Sequence, residues 1–235
     1  MALIRNNQAG RSSPKATGAG SASPGREGRR EGPTEAPTEG PTEGQADLGA
    51  VLRGGDADAR RNAARALGAD PNGTKTLAEA LEREPDPRVR EAIFTSLIRL
   101  GGRESVDAII PYLRTDDANL RMGALDALRA MIDAARPVLP ELLTDPDADI
   151  RLLTCDLLRE LPSPDATALL CGVLAREQEA NVCAAAVDVL ADIGDAGAVP
   201  YLDQCAARFG DATFLSFAVK TARERIIAGG GAGHG

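Results

Sequence analysis

Tryptophan is absent from this chain of 235 residues, and aromatic residues make up only 3% of it. With so few rings the interior must be filled by small and aliphatic side chains, which suits closely stacked helices. The single histidine, His234, sits in a glycine tail, so no histidine set is available for a catalytic or metal centre. Cysteine is limited to Cys155, Cys171, Cys183 and Cys205, none in a C-x-x-C. All four fall within helical periodicity, as buried reduced thiols do. A disulfide or a four-cysteine metal site across the last two repeats is the other arrangement they permit. No apolar run approaches a membrane span, and Ala2-Leu3-Ile4 is too short for a secretion signal. The expectation is a soluble, cytoplasmic chain with no membrane contact. Lysine is nearly missing, 3 against 24 arginines. The net charge of −8 divides as +1 over residues 1–45 and −9 over the rest. An acidic body argues against a nucleic-acid partner, whose binding rests on cations that displace counterions. No glycine-rich phosphate loop and no nucleophile constellation occur.

What the chain does have is a repeat. Asp56, Asp86, Asp117, Asp147, Glu179 and Asp211 stand 30, 31, 30, 32 and 32 residues apart. Three positions after each acid comes an apolar residue: Ala59, Val89, Leu120, Ile150, Val182 and Phe214. Four after, in the first four units, comes Arg60, Arg90, Arg121 or Arg151. Eleven after come Leu67, Leu97, Leu128, Leu158, Leu190 and Ala222. A period of this size marks a stacked solenoid.

Each unit reads as two antiparallel helices. In the third, Ser105 to Arg114 forms the first helix, Thr115-Asp116-Asp117 the turn and cap, and Ala118 to Ile132 the second helix. Residues 1–45 are rich in Gly, Pro, Thr and Glu, with a tandem Pro-Thr-Glu-Gly motif. They hold too little apolar surface to offset ordering entropy. The expected organisation is a disordered arm over 1–45, a solenoid over 46–228 and a flexible tail over 229–235.

On a helical wheel of the second helices, positions +3, +7, +8, +10, +11 and +14 are apolar, and +2, +5, +9 and +12 form the polar face. The +4 arginine falls inside the apolar arc, so it must be paired. Arg60, Arg90, Arg121 and Arg151 are therefore expected to form a structural ladder with Asp86, Asp117 and Asp147, the acid that starts each unit or the next. On the polar face, Ile98, Met122, Leu152 and Ala184 are expected to make an apolar strip, flanked by Asp126, Arg129, Asp156, Arg159 and Asp188. An apolar centre with a charged rim is the usual anatomy of a protein contact.

The string Asp86-Pro87-Arg88-Val89-Arg90-Glu91-Ala92, with Leu97, Gly101 and the echo Asp147-Ala148-Asp149-Ile150-Arg151, resembles bacterial HEAT repeats. The subtype is the short one named after phycobilisome (bilin) lyases, and the resemblance covers roughly residues 47–227. It implies an all-α, right-handed solenoid of about six two-helix repeats, with second helices lining a concave binding face. Deoxyhypusine hydroxylase, which resembles this fold, needs His-Glu pairs for two irons, and the sequence lacks them. HEAT-like DNA glycosylases use a basic, aromatic groove, which is also missing. The expectation is a non-enzymatic scaffold without cofactor or metal, holding a protein or peptide on that face. The alternative is a bilin-lyase-like subunit handling a tetrapyrrole.

Removal of residues 1–45 is expected to leave the helical circular dichroism per folded residue and the melting midpoint nearly unchanged, since such segments make few stabilising contacts. A clear fall in midpoint would show that the arm packs on the repeats.

Overall fold

The structure, a computed structural model, describes residues 43–210 and 213–230. Most of the expected arm (residues 1–42) and the tail residues 231–235 lie outside these. Among the described residues every regular element is helical, and the chain is an all-α solenoid. Helix α1 (Glu43–Gly54) pairs with α2 (Ala57–Leu67), and α3 (Thr74–Leu81) with α4 (Pro87–Leu100). Helix α5 (Gly102–Ile109) continues as a 3-10 turn over Ile110–Arg114 and pairs with α6 (Ala118–Ala130). The fourth unit's first helix is broken into α7 (Ile132–Ala135), a 3-10 turn at Arg136–Val138 and α8 (Leu139–Leu142), before α9 (Ala148–Leu157). The breaks fall at Pro137 and Pro140, which lack the N–H that a continuous helix needs. Helix α10 (Ser163–Arg176) pairs with α11 (Ala180–Ile193), and α12 (Val199–Arg208) with α13 (Thr213–Gly230). The second helices α2, α4, α6, α9, α11 and α13 touch in succession and form one layer. The first helices touch likewise, from α1 through α3 and α5 to α7, and again between α10 and α12.

The acid that opens each unit is a helix cap. Asp56 accepts from Ala59 N, Asp86 from Arg88 N, Asp117 from Asn119 N and Leu120 N, and Asp147 from Asp149 N. These bonds satisfy donors left free in the first turn, where the macrodipole also favours a negative charge. Glu179 makes no side-chain cap bond. Between α4 and α5 the chain turns through Gly101 and Gly102, both at positive φ (66° and 73°), where a side chain would be strained.

The apolar columns are buried as the wheel requires. At +3, Val89, Leu120, Ile150 and Val182 are buried; at +11, Leu67, Leu97, Leu128, Leu158 and Leu190 are too. The sixth unit departs from the expected register. Helix α13 starts at Thr213, and its buried stripe is Leu215, Val219, Ala222 and Ile226. Every equivalent position thus falls one residue later than the acid at Asp211 suggests, and +3 is Leu215, not Phe214. In this register the columns that are apolar and buried in inner units, +8 and +11, become the exposed Lys220 and Arg223. Among the described residues no further helix pair covers those columns, and the charge there keeps this face polar.

Replacing Lys220 and Arg223 together by leucine turns this end into a copy of an inner repeat surface. Self-association, read by sedimentation velocity over a range of concentrations, is expected to rise relative to the parent chain. Unchanged sedimentation would mean that the end is not a stacking surface.

Candidate functional site

The +4 arginines act as staples between units. Each reaches back to a carbonyl of its own inter-helix turn: Arg60 to Gly55 O (2.8 Å), Arg90 to Glu84 O (2.6 Å), Arg121 to Thr115 O (2.5 Å) and Arg151 to Asp145 O (2.8 Å). Three of them also reach forward to a carboxylate of the next unit. Arg60 meets Glu84 through two bonds of 2.8 Å, Arg90 meets Asp117 at 2.7 Å, and Arg151 meets Glu177 at 2.7 and 2.9 Å. Only Arg90 uses the acid that opens the next unit. Glu84 and Glu177 stand two residues before that acid, at −2, and Asp86 instead pairs with Arg88. The −2 residue of the third unit is Thr115, which has no charge to offer, so Arg90 extends to Asp117. In the fourth unit the −2 acid, Asp145, is taken by Arg114, and Arg121 keeps only its carbonyl. Asp147 remains a cap. The column of acids at −2 is visible in the sequence, and it is the signal that would have found Glu84, Asp145 and Glu177.

Burial raises the Glu177 carboxyl, but bonds from Arg151 and from the N–H groups of Glu179 and Gln178 outweigh it and hold the group below its ordinary value of 4.5. Burial likewise raises Glu84, and Arg60 with Asp86 N–H brings it below that value. A carboxylate lowered in the folded state supports the fold above its unfolded value. That support is lost as pH falls through the folded value.

Expected neighbours on the polar face form a second, continuous ladder. Arg129 binds Asp126 at 2.8 Å on its own helix and Asp156 on the next second helix. Arg159 binds Asp156 at 3.2 Å, and also Asp188 and Asp192 on α11. Arg225 on α13 closes the row on Asp192 at 3.0 Å. The i,i+3 pairs are thus links across four helices. Asp192 and Arg225 were not singled out in the sequence because no single helix shows the pairing.

The apolar strip is divided. Ile98 and Met122, with Asp126, line an open hollow of about 380 Å³ between α4 and α6, together with Phe94, Glu91 and Asn119. Phe94 fits because position 123 is glycine: a Cβ there would lie 2.8 Å from the ring. The ring also meets Tyr112 edge-on, centroids 6.4 Å apart. Met122 is 48% exposed and Ile98 is half-buried. Leu152 is half-buried and faces a different, polar-walled hollow with Arg114, Arg121, Asp147 and Asp149. Ala184 is half-buried against the core. In the register of the sixth unit Phe217 takes the +5 position of Met122 and is 72% exposed. The acid at 211 hid this assignment.

The four cysteines are buried and free. Burial pushes the Cys155 thiol up to about 12. The Cys183 thiol is held up by its hydrogen bond with Cys205 and by burial. Among the described residues no group of His, Cys, Asp and Glu is placed to hold a metal ion, and no helix is long and apolar enough to cross a membrane.

The family model of HEAT repeats matches residues 46–129, 74–151 and 135–213, more than half of the chain. The bilin biosynthesis protein PecE of Nostoc sp. (strain PCC 7120) is 36% identical over 81 residues, covering 33% of this chain and 32% of that protein. The chain therefore matches about a third of that relative's length. Among solved structures, Cex1p aligns with a TM-score of 0.48 at 13% identity, over 78% of this chain and 42% of that one. The complex of CpcE and CpcF of phycocyanin lyase from Nostoc sp. PCC7120 aligns with a TM-score of 0.33 at 19% identity, over 83% and 100%. Structural likenesses this distant carry no functional argument. The match to PecE corrects the expectation of a chain that is not an enzyme, since the similarity runs to a protein of bilin biosynthesis.

Arg151→Ala would leave the Glu177 carboxylate buried without its partner and is expected to cost about 3–5 kcal/mol in denaturant melts at neutral pH. Arg121→Ala, which loses a carbonyl bond alone, is expected to cost only about 1 kcal/mol. In the parent chain, stability should fall as pH drops below 4.5. In Glu177→Gln that fall should be shallower. Equal losses for the two arginine variants would show that the forward carboxylate contributes nothing.

Proposed function

This chain belongs to the HEAT-repeat family, of the short HEAT-like type named after phycobilisome lyases, and from that premise we propose that it is a lyase-type subunit handling an open-chain tetrapyrrole. The observation that carries the reading is the 36% identity to a bilin biosynthesis protein. The hollow between α4 and α6 supports it, because its size falls in the range of small-molecule sites and its wall joins apolar to polar groups. A flat chromophore laid there would pack on Phe94, Ile98 and Met122. Its pyrrole N–H groups would find carboxylate acceptors in Glu91 and Asp126. Both helices are held by staples at their N-terminal turns, through Arg90 and Arg121, so the walls are rigid before any ligand arrives. The role proposed for the hollow is to position the chromophore for attachment or removal.

A protein partner belongs to the same reading. The acceptor of a bilin is a polypeptide, and HEAT repeats present an extended face to such partners. The charged ladder of Arg129, Asp156, Arg159 and Asp188, with Leu152 and Ala184 beside it, supports docking along α6, α9 and α11.

Biliverdin titrated into the purified protein is expected to show a saturable change in its visible absorption. Met122→Glu, on an exposed position, should weaken that binding by about tenfold or more while the melting temperature stays within a few degrees. Absence of any saturable change would sink the tetrapyrrole reading. Normal binding by Met122→Glu would move the ligand away from this hollow.

A further inference from the structure

A second, smaller hollow of about 140 Å³ opens between α2 and α4 and is lined by Arg61, Arg65 and Arg88 with Glu91, Ala92 and Thr95. Glu91 and Thr95 also line the larger apolar hollow, so the two share a wall. The arginines differ from those of the staples. The Nε of Arg61 is buried and has no hydrogen-bond partner among the described residues. Arg65 is exposed, and among the described residues neither it nor Arg61 forms an ion pair. Arg88 spends Nε and Nη2 on Asp86, which leaves Nη1. The opposing charges nearby are Asp86, already engaged, Asp58 beside Arg88, and Glu91 on the shared wall. A guanidinium needs planar oxygen acceptors, and a buried N–H without one is unfavourable until a ligand supplies it.

The geometry points to an oxyanion subsite in which Arg61 and Arg65 bind a carboxylate of a ligand whose flat apolar body lies in the adjoining hollow against Phe94, Ile98 and Met122. This inference rests on the tetrapyrrole reading and deepens it. An open-chain tetrapyrrole carries propionate side chains on a flat conjugated body, so the two adjoining hollows match its two kinds of surface. Glu91, standing between them, opposes the carboxylate and faces the pyrrole N–H groups. It would set the direction in which the molecule lies. Thr95, the other shared residue, donates its hydroxyl to Glu91 O within the helix and leaves the passage between the hollows uncharged.

The test compares biliverdin with its dimethyl ester, whose propionates are neutral, on the full chain. The free acid is expected to bind about tenfold or more tightly than the ester. In the double variant Arg61→Gln with Arg65→Gln that preference should shrink to within about twofold, with ester affinity unchanged. The single variant Arg65→Gln, on an exposed side chain, gives the same reading if the double variant does not fold. Glu91→Gln should widen the preference for the acid over the ester, since the charge it removes opposes only the free carboxylate. Equal binding of acid and ester by the parent chain would overturn the subsite and leave the tetrapyrrole reading standing. A preference that survives both arginine changes would also overturn it. If neither probe binds, both readings fall together.

Discussion

A pair of helices as short as α3 and α4 can cover only one side of its own apolar stripe, and each unit of this chain depends on its neighbours to cover the other. Val89, Leu120, Ile150 and Val182 are buried only because a second helix lies on either side of each. The stack must therefore keep one register along its length, or whole columns turn toward water. The charged Lys220 and Arg223 show where that requirement stops. They occupy columns that are leucine, alanine, valine, phenylalanine or cysteine in the inner units. The same dependence explains the breaks at Pro137 and Pro140. A first helix can be interrupted there because Leu139 and Leu142 still reach the core.

Apolar contact alone lets neighbouring helices slide. The +4 arginines add direction, since each guanidinium has donors in a fixed fork. By holding a turn carbonyl behind and a carboxylate ahead, Arg60, Arg90 and Arg151 tie the start of one second helix to the turn before the next. Other arginines secure the far ends: Arg99 donates to Gly68 O and Arg65 O, and Arg208 to Leu174 O and Ala175 O. These are last-turn carbonyls, where a cation is favoured. The hollow between α4 and α6 is thus set between helices fixed near their starts. On its wall Gly123 makes room for the Phe94 ring.

Much of this was legible in the order of residues. The acids, the +3 and +11 columns and the +4 arginines recur often enough to specify caps, buried stripes and stacking. Met122 and Ile98 are legible on the wheel because the +5 and +12 positions lie on the face away from the buried columns. Less legible were the contacts that pass between units. Arg60 prefers Glu84 to Asp86, and Arg114 takes Asp145 from Arg121; such competition depends on reach across a turn. The Asp126–Arg129–Asp156–Arg159 row reads as separate i,i+3 pairs until four helices stand side by side. The sixth unit misleads because an acid occurs at the expected spacing while the apolar residues after it are one place late.

The helical period, the number of units and the buried face of the first five second helices are written in the order of residues, because they follow from local periodicity and from the repetition of one pattern. Packing settles which carboxylate each arginine holds, that Leu152 faces a different hollow from Met122, and that Arg61 and Arg65 adjoin an apolar hollow. Those outcomes depend on distances between side chains some thirty residues apart along the chain. A repeat of 30 to 32 residues, varying in length from unit to unit, does not specify them until the helices are packed.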